Sequence, residues 1–438
     1  MRSTVRTLAA SAAVLALSPA RAQDVEPTPP APEAPWWSGT LDSRVVSRSR
    51  GSDSDLDVYT LLSLDAGREG AEWSGRATAR LAWDVDGRSE GFESLADAEG
   101  DALDSELYDA FVRWRGSGEV RSATLGRQFV HETPVALWFD GLALESREAG
   151  AWRWKTSLHG GVPVHAFESS RSGDSVVGIA QELRPLKPLR VRADWLHLED
   201  ERSGFDGSND LAALALDGTL GPGRTWKLAY SRLDGEDRDA SASLAWADYE
   251  RGWTLQLSHY RLLETQTARA LELDPFFEQL NRLEPFSQTR AVATRDFTPS
   301  VHATGGVDLR RIEDSDDEGS FNHDFDRYWL TLALDDALPF GVALALTGEV
   351  WSSASDVETW GVDLDRRLGE RWRVAAGSFY SLFKLDSFAG SEREDVRTSF
   401  ARIEYRSSET ARWSLRYERE DDDSGDTHTL RGGVSWRF

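Results

Sequence analysis

Residues 427–438 read THTLRGGVSWRF, and the fold turns on them. Leu430, Gly432, Val434, Trp436 and Phe438 recur at a period of two, with Thr429, Arg431, Gly433, Ser435 and Arg437 between them. That is a β-strand with one greasy face and one basic face. An exposed Trp-x-Phe terminus suits a water-soluble domain poorly. A strand with lipid on one side and water on the other requires this pattern.

The same alternation runs back along the chain as far as Trp36. Trp413, Leu415 and Tyr417 face one way and Arg412, Ser414, Arg416 and Glu418 the other; Tyr108, Ala110, Val112 and Trp114 likewise oppose Asp109, Phe111, Arg113 and Arg115. The pattern predicts strands near 38–47, 57–66, 73–84 and 106–115, and so on through 396–406, 412–419 and 428–438, 22 in all. The connections alternate in length. With Phe438 periplasmic, the long class (85–105, 130–139, 163–174, 263–289) is external and the short class (Gly116 to Glu119, Leu368 to Glu370) periplasmic. The expected fold is therefore all-β, a transmembrane antiparallel up-and-down barrel of about 22 strands, and 18 or 20 stay open. Tryptophans recur near strand ends, among them Trp73, Trp83, Trp114, Trp138, Trp195, Trp253, Trp329, Trp351, Trp372 and Trp436, as expected of two interfacial girdles.

Composition narrows the function. After the N-terminus no apolar run reaches the ~18 residues a transmembrane helix needs. Cysteine is absent, which excludes disulfides, zinc-thiolate sites and iron–sulfur clusters. Mean hydropathy is −0.48, and a net charge of −25 with pI ≈ 4.8 argues against nucleic acid as a partner. Arginine dominates the cations; the lysines are Lys155, Lys187, Lys227 and Lys384. Residues 1–22 carry Arg2 and Arg6, an apolar run and an Ala20-Arg21-Ala22 cleavage site, and read as a signal peptide. Residues 23–36 read as a proline-rich periplasmic tether and 37–438 as the barrel.

The terminal Trp436-x-Phe438 resembles the closing strand of bacterial outer-membrane barrels, in which a C-terminal aromatic is read by the insertion machinery. That resemblance implies the outer membrane of a Gram-negative bacterium, with lipid and lipopolysaccharide as surroundings. A second resemblance lies in Glu106 to Glu148, where a strand, a tight turn, a strand ending Gly126-Arg127-Gln128, a Trp-Phe loop and an Asp140-Gly141 start follow one another. This arrangement is similar to that of the alginate-export porins. The likeness spans roughly a tenth of the chain, and Gly-Arg-Gln occurs in other porins. It implies transport of an anionic polysaccharide through an arginine-rich lumen, with Arg113, Arg115, Arg127 and Gln128 as lumen candidates. Strict alternation puts Arg127 on the outer face with Leu125, so a lumen role requires a bulge at Gly126. The family's barrel has 18 strands, fewer than the pattern counts here.

Further lumen candidates come from alternation in the last strands: Arg402, Arg412, Arg416 and Arg431, interleaved with Glu404 and Glu418. Such residues suit a substrate track or plain cross-strand ion pairs equally. The loop 263–289 is unusually apolar, and Phe276, Phe277 and Phe286 are expected to fold inward as a constriction. Acid gathers in the external loops. Asp314, Asp316 and Glu318 begin like a calcium loop, but Phe325 stands where the bidentate Glu is required. Loose divalent binding that bridges lipopolysaccharide is the alternative to ordinary solvated loops. There is no Gly-x-Ser-x-Gly and no His-Glu-x-x-His, and His159, His197, His259 and His302 are scattered, so no catalysis and no cofactor are expected. Two functions follow. One is a porin-like channel for small or anionic solutes, such as an anionic saccharide. The other is a sheath around a periplasmic partner, for instance a multihaem cytochrome.

Overall fold

A computed structural model describes residues 36–438 except 69, 87–102, 131–136, 165–173, 203–204, 268–281, 320–321, 336–337, 354–355, 387–390 and 424. The signal peptide (1–22), nearly all of the tether (23–36), and Phe276 and Phe277 lie outside the described residues.

In chain order the strands are β1 (Trp37–Arg50), β2 (Asp53–Ala66), β3 (Trp73–Asp84), β4 (Leu103–Arg115), β5 (Val120–Val130), β6 (Leu137–Ser146), β7 (Lys155–Pro163) and β8 (Ser175–Leu186). There follow β9 (Leu189–Arg202), β10 (Phe205–Thr219), β11 (Arg224–Leu233), β12 (Glu236–Asp248), β13 (Trp253–Leu262), the short β14 (Gln266–Thr267) and β15 (Arg282–Leu283), and β16 (Phe286–Thr298). The last are β17 (Val301–Ile312), β18 (Phe325–Leu334), β19 (Val342–Ser352), β20 (Asp356–Leu368), β21 (Trp372–Asp386), β22 (Ser391–Arg406), β23 (Ala411–Asp422) and β24 (Gly425–Arg437). β14 and β15 form a ribbon of their own, and the rest make one 22-stranded antiparallel sheet. β13 pairs with β16, and β24 pairs with β1 to close the barrel.

The closing strand has the predicted faces. Leu430 and Trp436 are exposed on the outside, in register with Ser47 and Leu41, while Arg431 and Ser435 face the lumen. Phe438 exchanges backbone hydrogen bonds with Gly39 (2.8 and 3.0 Å) and lies 5.7 Å from the Trp37 ring and 4.9 Å from that of Trp436. A side chain at position 39 would collide with the Phe438 ring, so glycine is needed there.

Exposed Trp73, Trp253, Trp372, Trp413 and Trp436 mark the periplasmic edge of the apolar band, and Trp83, Trp195, Tyr328 and Trp360 mark the other. This is the girdle pattern of a lipid-spanning barrel. Trp329 and Trp351 depart from it. They share the lumen face with Arg327 and Glu349, and the Trp351 indole N–H donates to Glu349 (3.2 Å).

Strands run past the predicted limits mainly at their external ends, although β8 and β20 also extend at periplasmic turns, to Leu186 and Leu368. Ser49 remains paired with Ser54, and Asp422 with Gly425, so several connections expected as long external loops are tight turns. Above the lipid both faces of a strand are wet, the apolar alternation stops, and only backbone pairing continues. A bulge between Thr78 and Ala79 sets Tyr108 against the lumen, not outward with Ala110; its hydroxyl donates to Glu106 (2.6 Å). Leu137, Phe139, Val176, Leu196, Leu198 and Leu211 form a buried apolar cluster on the lumen side of β6 and β8–β10, each contributing about 1.5–3 kcal/mol.

Candidate functional site in the lumen wall

Alternation and register together place Arg402, Arg416 and Arg431 directly opposite one another on β22, β23 and β24. Neighbouring strands lie about 4.8 Å apart, and like charges in facing positions repel. Carboxylates relieve the row. Glu418 accepts from Arg416 (2.6 Å) and from Arg431, and Arg402 lies 3.4 Å from Glu404 and 3.8 Å from Asp365. Asp365 also pairs with Arg373 (2.7 Å). The Arg416 guanidinium rests over the Phe400 ring at 4.8 Å.

The basic wall continues across the seam. The guanidiniums of Arg44 and Arg80 lie over Tyr59 at 5.1 and 5.2 Å, and Arg80 also pairs with Glu106 (2.9 Å). Arg113 donates to the Thr124 hydroxyl (3.1 Å) and lies over Phe111 at 5.3 Å. Arg115 shares its face, opposite Ser122. Among the described residues, Arg44, Arg113, Arg115 and Arg412 form no ion pair with a carboxylate. Arg115 and Arg412 flank periplasmic turns and Arg44 stands mid-strand, while the lumen-facing carboxylates Asp42, Asp109 and Asp363 likewise form no ion pair among the described residues.

At the external end of β1 and β2 the sharing is reversed. Arg48, 3% exposed, meets both Asp55 and Asp57 (the latter at 2.6 Å), with buried Asp84 and Asp104 on the neighbouring strands. Carboxylate oxygens of Asp55, Asp84 and Asp86 lie within 4.8 Å of one another, the geometry in which acidic groups could share a cation. Asp314 instead caps the short 3₁₀ turn Ser315–Asp317, accepting from the Asp316 amide (3.1 Å).

Part of the loop before β18 crosses toward β22. His323 hydrogen-bonds Glu392 (2.8 Å) and stacks on Phe383, with ring centroids 4.3 Å apart. The Glu392 hydrogen bond raises the His323 pKa above the ordinary imidazole value against the opposing effect of burial, and Glu394 and Glu318 push it the same way.

Of the residues expected from sequence, Arg402, Arg416 and Arg431 are brought together, Arg412 lies below them, and Arg113 and Arg115 lie on the same wall beyond the seam. Gln128 is buried and donates to the carbonyls of Thr124, Gly126 and Gly141 (3.2, 3.3 and 3.1 Å), so it staples the wall and does not face a solute. Arg127 stays outside. It sits in the row Ala110–Arg127–Asp140 and chelates Asp140 at 2.8 and 2.7 Å, and the register shows no shift at Gly126. Gly126 (φ 119°) is needed because a Cβ there would strike the Ala110 carbonyl of β4. Phe286 belongs to β16, not to a loop, and lies buried under the Arg310 guanidinium at 3.9 Å. His159 faces the lumen while His197 and His259 face outward on other strands. Sequence reading overlooked Arg44, Tyr59 and Arg80 as a stack, although the alternation in β1–β3 placed all three on one face.

No protein-family model matches the chain, and no curated protein matches it by sequence, so the resemblance over Glu106 to Glu148 stands on its residues alone. Solved structures do match. The siderophore receptor PirA of Pseudomonas aeruginosa is 13% identical with TM-score 0.53, over 92% of this chain and 80% of that one. A mutant of the ferric enterobactin receptor PfeA of the same organism is 11% identical with TM-score 0.52 and the same coverage. The outer membrane protein OpdK of P. aeruginosa aligns over 92% and 98% at 11% identity, TM-score 0.43. At such identities the likeness is one of fold. The chain is an outer-membrane β-barrel, closed by 22 strands and banded by lipid-facing apolar residues.

Proposed function

We propose that this barrel is a porin-like channel for small anionic solutes. The carrying observation is the lumen row Arg402–Arg416–Arg431, continued across the seam by Arg44, Arg80, Arg113 and Arg115, in a chain of net charge −25. Guanidinium groups stay charged at every physiological pH and offer a planar fork that replaces the water lost by a carboxylate. Those without a carboxylate partner leave that charge for a passing anion. Two of these arginines, Arg115 and Arg412, stand beside periplasmic turns. Cations so placed attract anions to the periplasmic mouth. That placement supports outward movement, and with it the finer reading of polyuronate export in the manner of the alginate-export porins.

The test is single-channel current through the purified barrel under a salt gradient. Anion-selective openings blocked by added polyuronate are expected. Cation selectivity, or indifference to polyuronate, would overturn the proposal. A barrel that stays silent until a bound protein is stripped away would favour a sheath.

A further inference from the structure

We infer that the wall opposite the arginine row holds a discrete binding site for a small hydroxylated anion, an acid or phosphate group carried on a sugar-like polyol. The inference deepens the channel reading and rests on it for the ligand's route. A cavity of about 660 Å³ opens at the periplasmic end of β9–β13, within the ~300–1,000 Å³ usual for small-molecule sites. The hollow follows from side-chain size. In register across β11, β12 and β13 the lumen positions run Lys227, Ser243, Ser258 in one row and Thr225, Ala245, Gln256 in the next. Only Lys227 and Gln256 are long, and the positions between them, Ser243, Ser258, Thr225 and Ala245, make a floor of small side chains.

The charge around the hollow is the second observation. The chain has four lysines, and two are occupied: Lys155 pairs with Glu145 (2.9 Å) and Lys384 with Glu420. Lys187, in the turn after β8, and Lys227 form no ion pair among the described residues, and both line this cavity. Arg184 and Arg190 line it too, held by Glu182 (3.1 and 3.6 Å) and Asp217 (2.8 Å from Arg190). Four cations thus face two carboxylates, in a chain whose overall balance is strongly acidic. An ammonium is a compact charge with three rotatable donors, suited to an acid group in variable pose. The hydroxyls of Thr225, Ser243 and Ser258 and the Gln256 amide both donate and accept, which suits the hydroxyls of a polyol. Charge and hydroxyl partners on one concave wall select a ligand carrying both.

The test is calorimetric titration of the full barrel in detergent with sodium glucuronate, glucose and inorganic phosphate. Glucuronate is expected to saturate, and glucose to give no heat. Lys187→Gln and Lys227→Gln should each weaken glucuronate about ten-fold, the loss of one charge-assisted hydrogen bond, while Lys227→Arg retains most of it. Ser258→Leu fills the hollow without touching the charge and should abolish binding. Native heat-modifiable mobility on gels verifies the fold of each variant. No glucuronate binding, lysine variants that bind as wild type, or glucose equal to glucuronate would each overturn the site. Phosphate as tight as glucuronate, with Ser258→Leu inert, would reduce it to charge alone and overturn the polyol assignment. Binding is read without current, so the two proposals fail separately. A barrel that binds but never conducts defeats the channel, and one that conducts but never binds defeats the site.

Discussion

The Arg48 cluster at the external rim and the arginine row use the same ion pair with opposite stoichiometry. At the rim one guanidinium, Arg48, is shared by Asp55 and Asp57, with buried Asp84 and Asp104 on the strands beyond. In the row one carboxylate, Glu418, is shared by Arg416 and Arg431. Each minority charge is buried, and each holds together neighbours that would otherwise repel. The local surplus therefore has opposite sign in the two clusters, which stand at different heights on the wall. An acidic whole-chain charge is compatible with a basic passage because the two excesses sit at different heights.

Removing the minority charge should break each group, more severely where burial is deeper. Arg48→Ala leaves buried carboxylates without their cation and is expected to cost about 3–5 kcal/mol. A fall in the urea midpoint of the folded, heat-modifiable band would show it; an unchanged midpoint would mean the rim carboxylates are otherwise compensated. Glu418→Gln releases two arginines that are about a third exposed, so solvent screening limits the loss to about 1–3 kcal/mol. The same variant should raise anion selectivity, since it adds uncompensated charge to the row; a shift toward cations would contradict the comparison.

The smallest effect concerns His323, the cation that the rim acquires by protonation. Its pKa in the folded state is raised, so its pairing with Glu392 stabilises the loop fully below the unfolded value of about 6.5 and fades as pH rises through the folded value. Hydrogen exchange across 322–325, corrected for its intrinsic pH dependence, should quicken as pH rises from about 6.5, by no more than about 1 kcal/mol, and His323→Gln should flatten that dependence. A dependence that survives the substitution would assign it to other rim groups.

The barrel was legible because lipid imposes a strict rule on one face of every strand. Trp413, Leu415 and Tyr417 could be read as outward from their spacing, and Arg412 and Arg416 as inward. Where lipid ends the rule ends, so the paired extensions at Ser49–Ser54 and Asp422–Gly425 were not visible. The bulge beside Thr78 reversed Tyr108, and a bulge depends on the partner strand. Spacing alone put Arg127 outside; the family resemblance argued otherwise, and Asp140 shows what keeps it there. Register made the rest of the site, since nothing in a single strand reveals that Arg402, Arg416 and Arg431 face one another across three.

The contact between Gly39 and Phe438 bears on how the chain folds. Every other ladder in the barrel joins strands that follow one another in the circuit, so hairpins can zip locally as the chain becomes available. The β1–β24 seam alone joins residues from opposite ends of the chain. Its loop-closure entropy exceeds that of any hairpin, but only modestly, because the cost grows with the logarithm of length. Until Phe438 arrives, the growing sheet has two bare edges, each able to pair with a foreign strand. The terminal aromatic is thus the residue whose docking converts an aggregation-prone ribbon into a ring with no edge.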